Sequence, residues 1–254
     1  MSRTRPDDTG GRLHGLPEVP DYDAEDERRR GTGPAVDTEI ARQRYEREHD
    51  PSRVLALSDG VIAIIITLLV LEIHVPELDS GETLGEALQQ VRPSFFAFFL
   101  SFVVVAIAWA GHRDLFALIR RTDRLLVWLN ILFLLPLCII PFGASMLASY
   151  ENASIALQMY GALLLAVAAT RLGIWWYATG RPHLLHEPSD APSRRAGVWI
   201  VVGPASAYLA AILVADPAPA VSRAIYAVVP VAYFVLVWRV RHSAPPGAAE
   251  RDFT

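Results

Sequence analysis

Lysine is absent from this chain: all 23 strongly basic residues are arginine. The arginines are spread through the N-terminal segment and the connections between apolar runs, so coding bias explains the choice better than mechanism. A single cysteine, Cys138, lies in an apolar run. That excludes a disulfide framework and a cysteine-based metal centre, and a buried small residue is the expected role. No glycine-rich phosphate loop, nucleophile elbow or pair of catalytic residues is present, so the common nucleotide-dependent and hydrolytic chemistries have no carrier. Internal repeats are lacking too. Residues 1–20 have no apolar core of the kind a signal peptide needs.

What is abundant is apolar. Hydrophobic residues make up 52% of the chain despite a long polar N-terminus. The formal charge of −4 hides a segregation of acids and bases along the sequence. Residues 1–50 are rich in Asp, Glu, Arg, Gly and Pro, too polar to offset the entropy of ordering, and are expected to be a disordered cytoplasmic segment. Its last part, Asp37 to Asp50, has the composition of a short charged helix. Acids and bases are mixed there, so no nucleic-acid partner is expected. Residues 51–242 form the membrane domain, and 243–254 a cytoplasmic tail.

A bilayer core requires about 20 predominantly apolar residues per helix. Six segments meet that length approximately: Val54 to Ile73, Pro93 to Gly111, Leu125 to Leu147, Ala153 to Tyr177, Gly197 to Ala215 and Ala224 to Trp238. They are too uniformly apolar for barrel strands, which alternate. The expected fold is therefore all-α, an integral membrane six-helix bundle. Arg42, Arg44, Arg47 and Arg53 precede the first span, and Glu77, Asp79, Glu82 and Glu86 follow it. Arg113, Arg120, Arg121 and Arg124 follow the second, Glu151 the third, and Arg181, Arg194 and Arg195 the fourth. Asp216 follows the fifth, and Arg239 and Arg241 the sixth. Basic and acidic connections alternate, which puts both termini in the cytoplasm (N-in/C-in).

The first span carries the most chemistry. It reads Arg53-Val-Leu-Ala-Leu57-Ser58-Asp59-Gly60 and runs on to Glu72. An ionisable group within a span usually faces a partner or a water-filled path. Arg53, His112 or a backbone donor are candidate partners for Asp59, and Ser58 can bond across a helix contact. Ile64, Leu68 and Leu71 share one stripe, with Thr67 beside it and Gly60 extending it. Gathered about a symmetry axis they form stacked apolar rings, which gate ion flow by dewetting. The plainer account is a stripe that touches only lipid or other helices, with Ser58 and Asp59 as a packing clamp. Elsewhere, His183-Leu-Leu-His186-Glu187 has helical metal spacing but is bracketed by Pro182 and Pro188, so a solvated loop is expected. Arg171, late in the fourth span, is expected to reach for the headgroups.

These residues resemble the transmembrane protein 175 family of potassium channels, in its prokaryotic form. The family pattern Arg-x-x-x-Phe-Ser-Asp stands here as Arg53-Val-Leu-Ala-Leu57-Ser58-Asp59, with Leu57 in place of Phe. The region holding Trp109, His112, Arg120, Asp123, Asn130 and Pro141-Phe142 also looks like the family. The resemblance covers residues 53 to about 147. It implies a homotetramer whose first helix lines a central pore. Ile64, Leu68 and Leu71 would be the constriction and filter, and Thr67 a polar pore-lining layer. Arg53, Ser58, Asp59, Trp109 and His112 would hold the first helix in place. Leu57 removes an aromatic contact from that packing. The Thr-Val-Gly-Tyr-Gly filter of ordinary potassium channels is absent.

The expected function is passive, potassium-permeable conduction with modest selectivity over sodium, because an apolar neck lacks carbonyl ligands. The expected setting is the plasma membrane, multi-pass, with other copies of the chain and membrane lipid as partners and no cofactor beyond the permeant ion. The alternative is a proton- or cation-coupled secondary transporter using Asp59. An intramembrane enzyme pairing Asp59 with His112 lacks a second buried acid or a nucleophile, and a non-conducting scaffold is the blandest option.

Overall fold

In a computed structural model of the chain, residues 50–78, 81, 83–187 and 191–242 are described, without the side chains of Ser193 and 236–242. The expected N-terminal disorder, the helix before Asp50 and the tail 243–254 lie outside them. The described residues form helices α1 (Ser52–Leu68), α2 (Leu84–Gln90), α3 (Arg92–Phe116), α4 (Arg124–Ser149), α5 (Ser154–Thr179), α6 (Ala191–Val214) and α7 (Pro219–His242). Five stretches are long and apolar enough to cross a membrane: Ser52–Glu72, Arg92–Phe116, Arg124–Ser149, Ser154–Thr179 and Arg194–Val214. The sixth expected span falls on α7, whose described apolar part is shorter, Pro219–Val235.

Local chemistry sets the helix ends. At the start of α1, Asp50 Oδ1 accepts the Ser52 amide at 2.8 Å, which holds the Asp50 carboxyl below its usual range. Beyond Leu68 the chain tightens into a 3-10 turn, Leu69–Glu72, and leaves as extended backbone at Ile73. Short α2 opens on a capping box: Thr83 and Glu86 each receive a hydrogen bond from the other's backbone. Asp123 caps α4 through the Leu126 amide at 2.8 Å, and its other carboxylate oxygen accepts the Tyr177 hydroxyl at the end of α5.

Successive long helices pack side by side, and α7 returns to touch α3. The centre of the bundle is tied by tyrosines. Tyr226 of α7 donates to the Leu157 carbonyl of α5 at 2.9 Å and meets the Tyr160 ring edge-on at 5.6 Å. Tyr160 shares a 3.0 Å hydrogen bond with Ser101 of α3. Gly161 allows this close approach, because a Cβ there would overlap the Tyr226 hydroxyl.

The connections sort to two ends. Between α3 and α4, Ile119 forms an isolated antiparallel bridge with Leu185 from the α5–α6 connection, and the Arg120 amide donates to the Leu184 carbonyl at 2.7 Å. The arginine-bearing connections therefore meet. Glu151, between α4 and α5, pairs with Arg223 at the start of α7 at 3.2 Å. Gln158 reaches Asp216 at 3.3 Å near that same opposite end. His183 and His186 lie in the bridge segment, a 3-10 turn and its exit, and no metal-holding cluster occurs among the described residues. Cys138, expected to be buried, is exposed on α4. An apolar span has a lipid-facing side as well as a packed one, so an apolar neighbourhood in sequence does not imply burial.

Candidate functional site: the first helix and its clamp

Helix α1 sits at the edge of the bundle. It packs against α3 and α4 and has no contact with α5, α6 or α7 among the described residues. Val54, Ser58, Ile62 and Ile65, with Leu69 just beyond, are buried on that side. The other side is uncovered. Ile64 is 59% exposed, Leu68 43% and Leu71 67%, and Leu57, Gly60 and Thr67 join them. The expected stripe is thus one largely apolar face that no other helix covers among the described residues. The Thr67 hydroxyl donates to the Ile64 carbonyl at 2.8 Å. Its proton is satisfied by its own helix, which leaves the oxygen lone pairs outward.

Behind this face lies a buried polar chain. Ser58, His112 and Asn130 are all fully buried. Nε2 of His112 lies 2.7 Å from Asn130 Oδ1. The Asn130 amide donates to Ser58 Oγ at 2.9 Å, and Ser58 donates to the Val54 carbonyl at 2.9 Å. With Nε2 protonated, the directions are consistent from His112 through Asn130 and Ser58 to the backbone. Stacked on Phe116 at 4.4 Å and Phe133 at 5.1 Å, the imidazole is held in a fixed plane. Its Nδ1 is buried without a hydrogen-bond partner. In a low-dielectric setting the bonds that this chain does make favour one packing arrangement of its helices.

At the rim of the covered side, the Trp109 indole donates to Asp59 Oδ1 at 2.8 Å. The Arg113 guanidinium lies over the Trp109 ring at 5.3 Å. The structure therefore unites Ser58 with His112 and Asp59 with Trp109, as two separate clamps. Neither Arg53 nor His112 is the Asp59 hydrogen-bond partner expected from sequence. Arg53 is exposed and, among the described residues, makes no hydrogen bond or ion pair with the others, and Asp59 is exposed rather than buried. Leu57, 50% exposed, points to the uncovered face, so the lost aromatic contact concerns that face and not the clamp. Asn130 is the residue that sequence reasoning left out of the clamp. Its signal was available: it is the sole amide side chain in the third apolar span.

The family model described as the endosomal/lysosomal potassium channel TMEM175 matches residues 53–141, the stretch that holds both clamps and the apolar stripe. The chain is 40% identical over 152 residues to a potassium channel of Streptomyces collinus, covering 58% of this chain and 74% of that one. It is 36% identical over 148 residues to a potassium channel of Chamaesiphon minutus, covering 56% and 73%. Among solved structures, it resembles a lysosomal potassium-selective channel TMEM175 homolog from Chamaesiphon minutus with a TM-score of 0.65 and 30% identity. That match spans 73% of this chain and 96% of the other. With its membrane-crossing helices and these relatives, the chain is a multi-pass membrane protein of the TMEM175 family.

Proposed function

We propose that the chain is a potassium-permeable cation channel, passive rather than coupled, and not an enzyme. The relatives named as potassium channels support this class. The observation that carries the mechanism is the position of α1. It is covered only by α3 and α4, and it turns Ile64, Leu68 and Leu71 away from its own bundle. Among the described residues one chain leaves that stripe unpaired and encloses no path with it. Four copies placed about an axis turn the stripe into successive apolar rings, with Thr67 oxygens between them.

In this reading α7 is a sixth span, both termini face the cytoplasm, and the channel sits in the plasma membrane. The meeting of the arginine-bearing connections at one end supports this orientation. The Ser58–Asn130–His112 chain and the Asp59–Trp109 bond hold α1 at a fixed rotation, so the rings stay aligned. An ion passing such a neck sheds part of its hydration without carbonyl replacements, which gives modest preference for the more weakly hydrated potassium.

The deciding experiment is single-channel recording of the purified protein in planar bilayers, with potassium on one side and sodium on the other. Discrete steps with a reversal potential favouring potassium are expected. Silent bilayers with verified assembly would count against conduction. The second reading, coupled transport through Asp59, draws on that carboxylate being exposed rather than buried. It requires saturable, proton-dependent flux that Asp59→Asn abolishes, and no unitary steps.

A further inference from the structure

The α3–α5–α6–α7 side of the bundle holds a second feature, unrelated to the α1 stripe. Arg171 lies in α5, and its guanidinium rests on Gly111 of α3, where a Cβ would overlap it. Gly111 is nearer the end of its helix than Arg171 is to the end of its own. The side chain therefore extends toward the arginine-rich end, as a charged group in a span does when it seeks the interface. There it finds no counter-charge: among the described residues it makes no hydrogen bond or ion pair. Instead it borders an open cleft of about 70 Å³, walled by Val104, Ile200, Pro204 and Pro230. Tyr208 and Tyr233 also line it. Pro204 and Pro230 stand inside α6 and α7 at this place.

An unpaired guanidinium within a span is costly unless an anion meets it. The guanidinium matches phosphate oxygens in a planar, two-bond geometry. A hydrocarbon-lined groove below it suits an acyl chain and not a free ion. We infer that this cleft binds one anionic phospholipid, its phosphate on Arg171 and the upper part of one acyl chain between α6 and α7. The neighbouring Arg113, Arg120, Arg121, Arg124 and Arg181 enrich the same end of the bundle in anionic lipid. The site needs no pore and stands whether or not the chain conducts.

Native mass spectrometry of the purified full chain, in detergent doped with equal amounts of phosphatidylglycerol and phosphatidylcholine of the same acyl chains, tests it. Wild type is expected to retain phosphatidylglycerol in excess, and Arg171→Gln to reduce that excess about tenfold. Arg171→Lys should keep part of it. Gly111→Ala, which displaces the guanidinium but leaves it in the chain, should weaken the preference without removing the charge. Ala168→Trp, which fills the cleft, should lose both lipids; it also serves if the arginine variants do not fold. An unchanged preference in Arg171→Gln or in Ala168→Trp would overturn the assignment. So would displacement of the lipid by inorganic phosphate at equal concentration, which would mark a free-anion site.

Discussion

Asn130 of α4 joins α3 to α1: its Oδ1 meets His112 Nε2 at 2.7 Å and its amide reaches Ser58 Oγ at 2.9 Å. No local pattern links these three residues, and their burial makes each dependent on the others.

Asn130→Leu keeps the volume and leaves His112 and Ser58 with one fewer partner each. Stranded buried polar groups are expensive, so a loss of about 2–3 kcal/mol is expected. Ser58→Ala removes one interhelical bond, from Asn130, and one within α1, to the Val54 carbonyl, and in a membrane setting should cost about 0.6–1 kcal/mol. Reversible unfolding in mixed detergent micelles measures both. The double variant should cost less than the sum, since the residues share one network.

Trp109→Phe deletes the donor to Asp59 while keeping an aromatic ring under Arg113. The carboxylate is exposed, so the loss should be about 1 kcal/mol rather than the value for a buried charged pair. Asp59→Asn retains an acceptor oxygen and should be milder. If the two variants proved equally destabilising, the charge on Asp59 and not the hydrogen bond would be what positions α1.

Ile64→Asn places an amide on the uncovered face without touching the covered one. In bilayers with potassium opposed to sodium, the reversal potential should move toward zero as sodium permeability rises by about tenfold. Thr67→Val should also weaken the preference for potassium, because it removes the oxygen whose proton is committed to the Ile64 carbonyl and whose lone pairs face outward. An unshifted reversal potential in Ile64→Asn would remove that residue from the constriction.

Glu86 predicts a local pH effect. The Thr83 amide and hydroxyl hold its carboxyl below the usual range. The cap is therefore at full strength above the ordinary carboxylate range and fades as pH falls through the depressed folded value. Protection of the first α2 amides against hydrogen exchange should drop in acid. Glu86→Gln should flatten that dependence. Retained protection at low pH in wild type would show that Thr83 alone carries the cap.

The membrane-crossing segments were legible because apolar run length directly reflects bilayer thickness. The stripe of Ile64, Leu68 and Leu71 was legible because the helix period sets angular position. Clamp membership was only partly so. Ser58, Asp59, Trp109 and His112 were expected together, yet they separate into two pairs, and Arg53 stands apart from both. Exposure of Cys138 and Asp59 reversed the expectation from their apolar surroundings.

From the sequence alone come the helical class, the run of apolar helices, the two kinds of connection and the angular register of each side chain along α1. These are short-range quantities, governed by backbone period and transfer energy. Only the tertiary structure decides which side of α1 is covered, that Asn130 bridges Ser58 and His112, and that Arg171 rests on Gly111 beside an open groove. Those pairings join residues 18 to 72 positions apart. Helix periodicity says where a side chain stands around its own axis; packing alone chooses the neighbour that meets it.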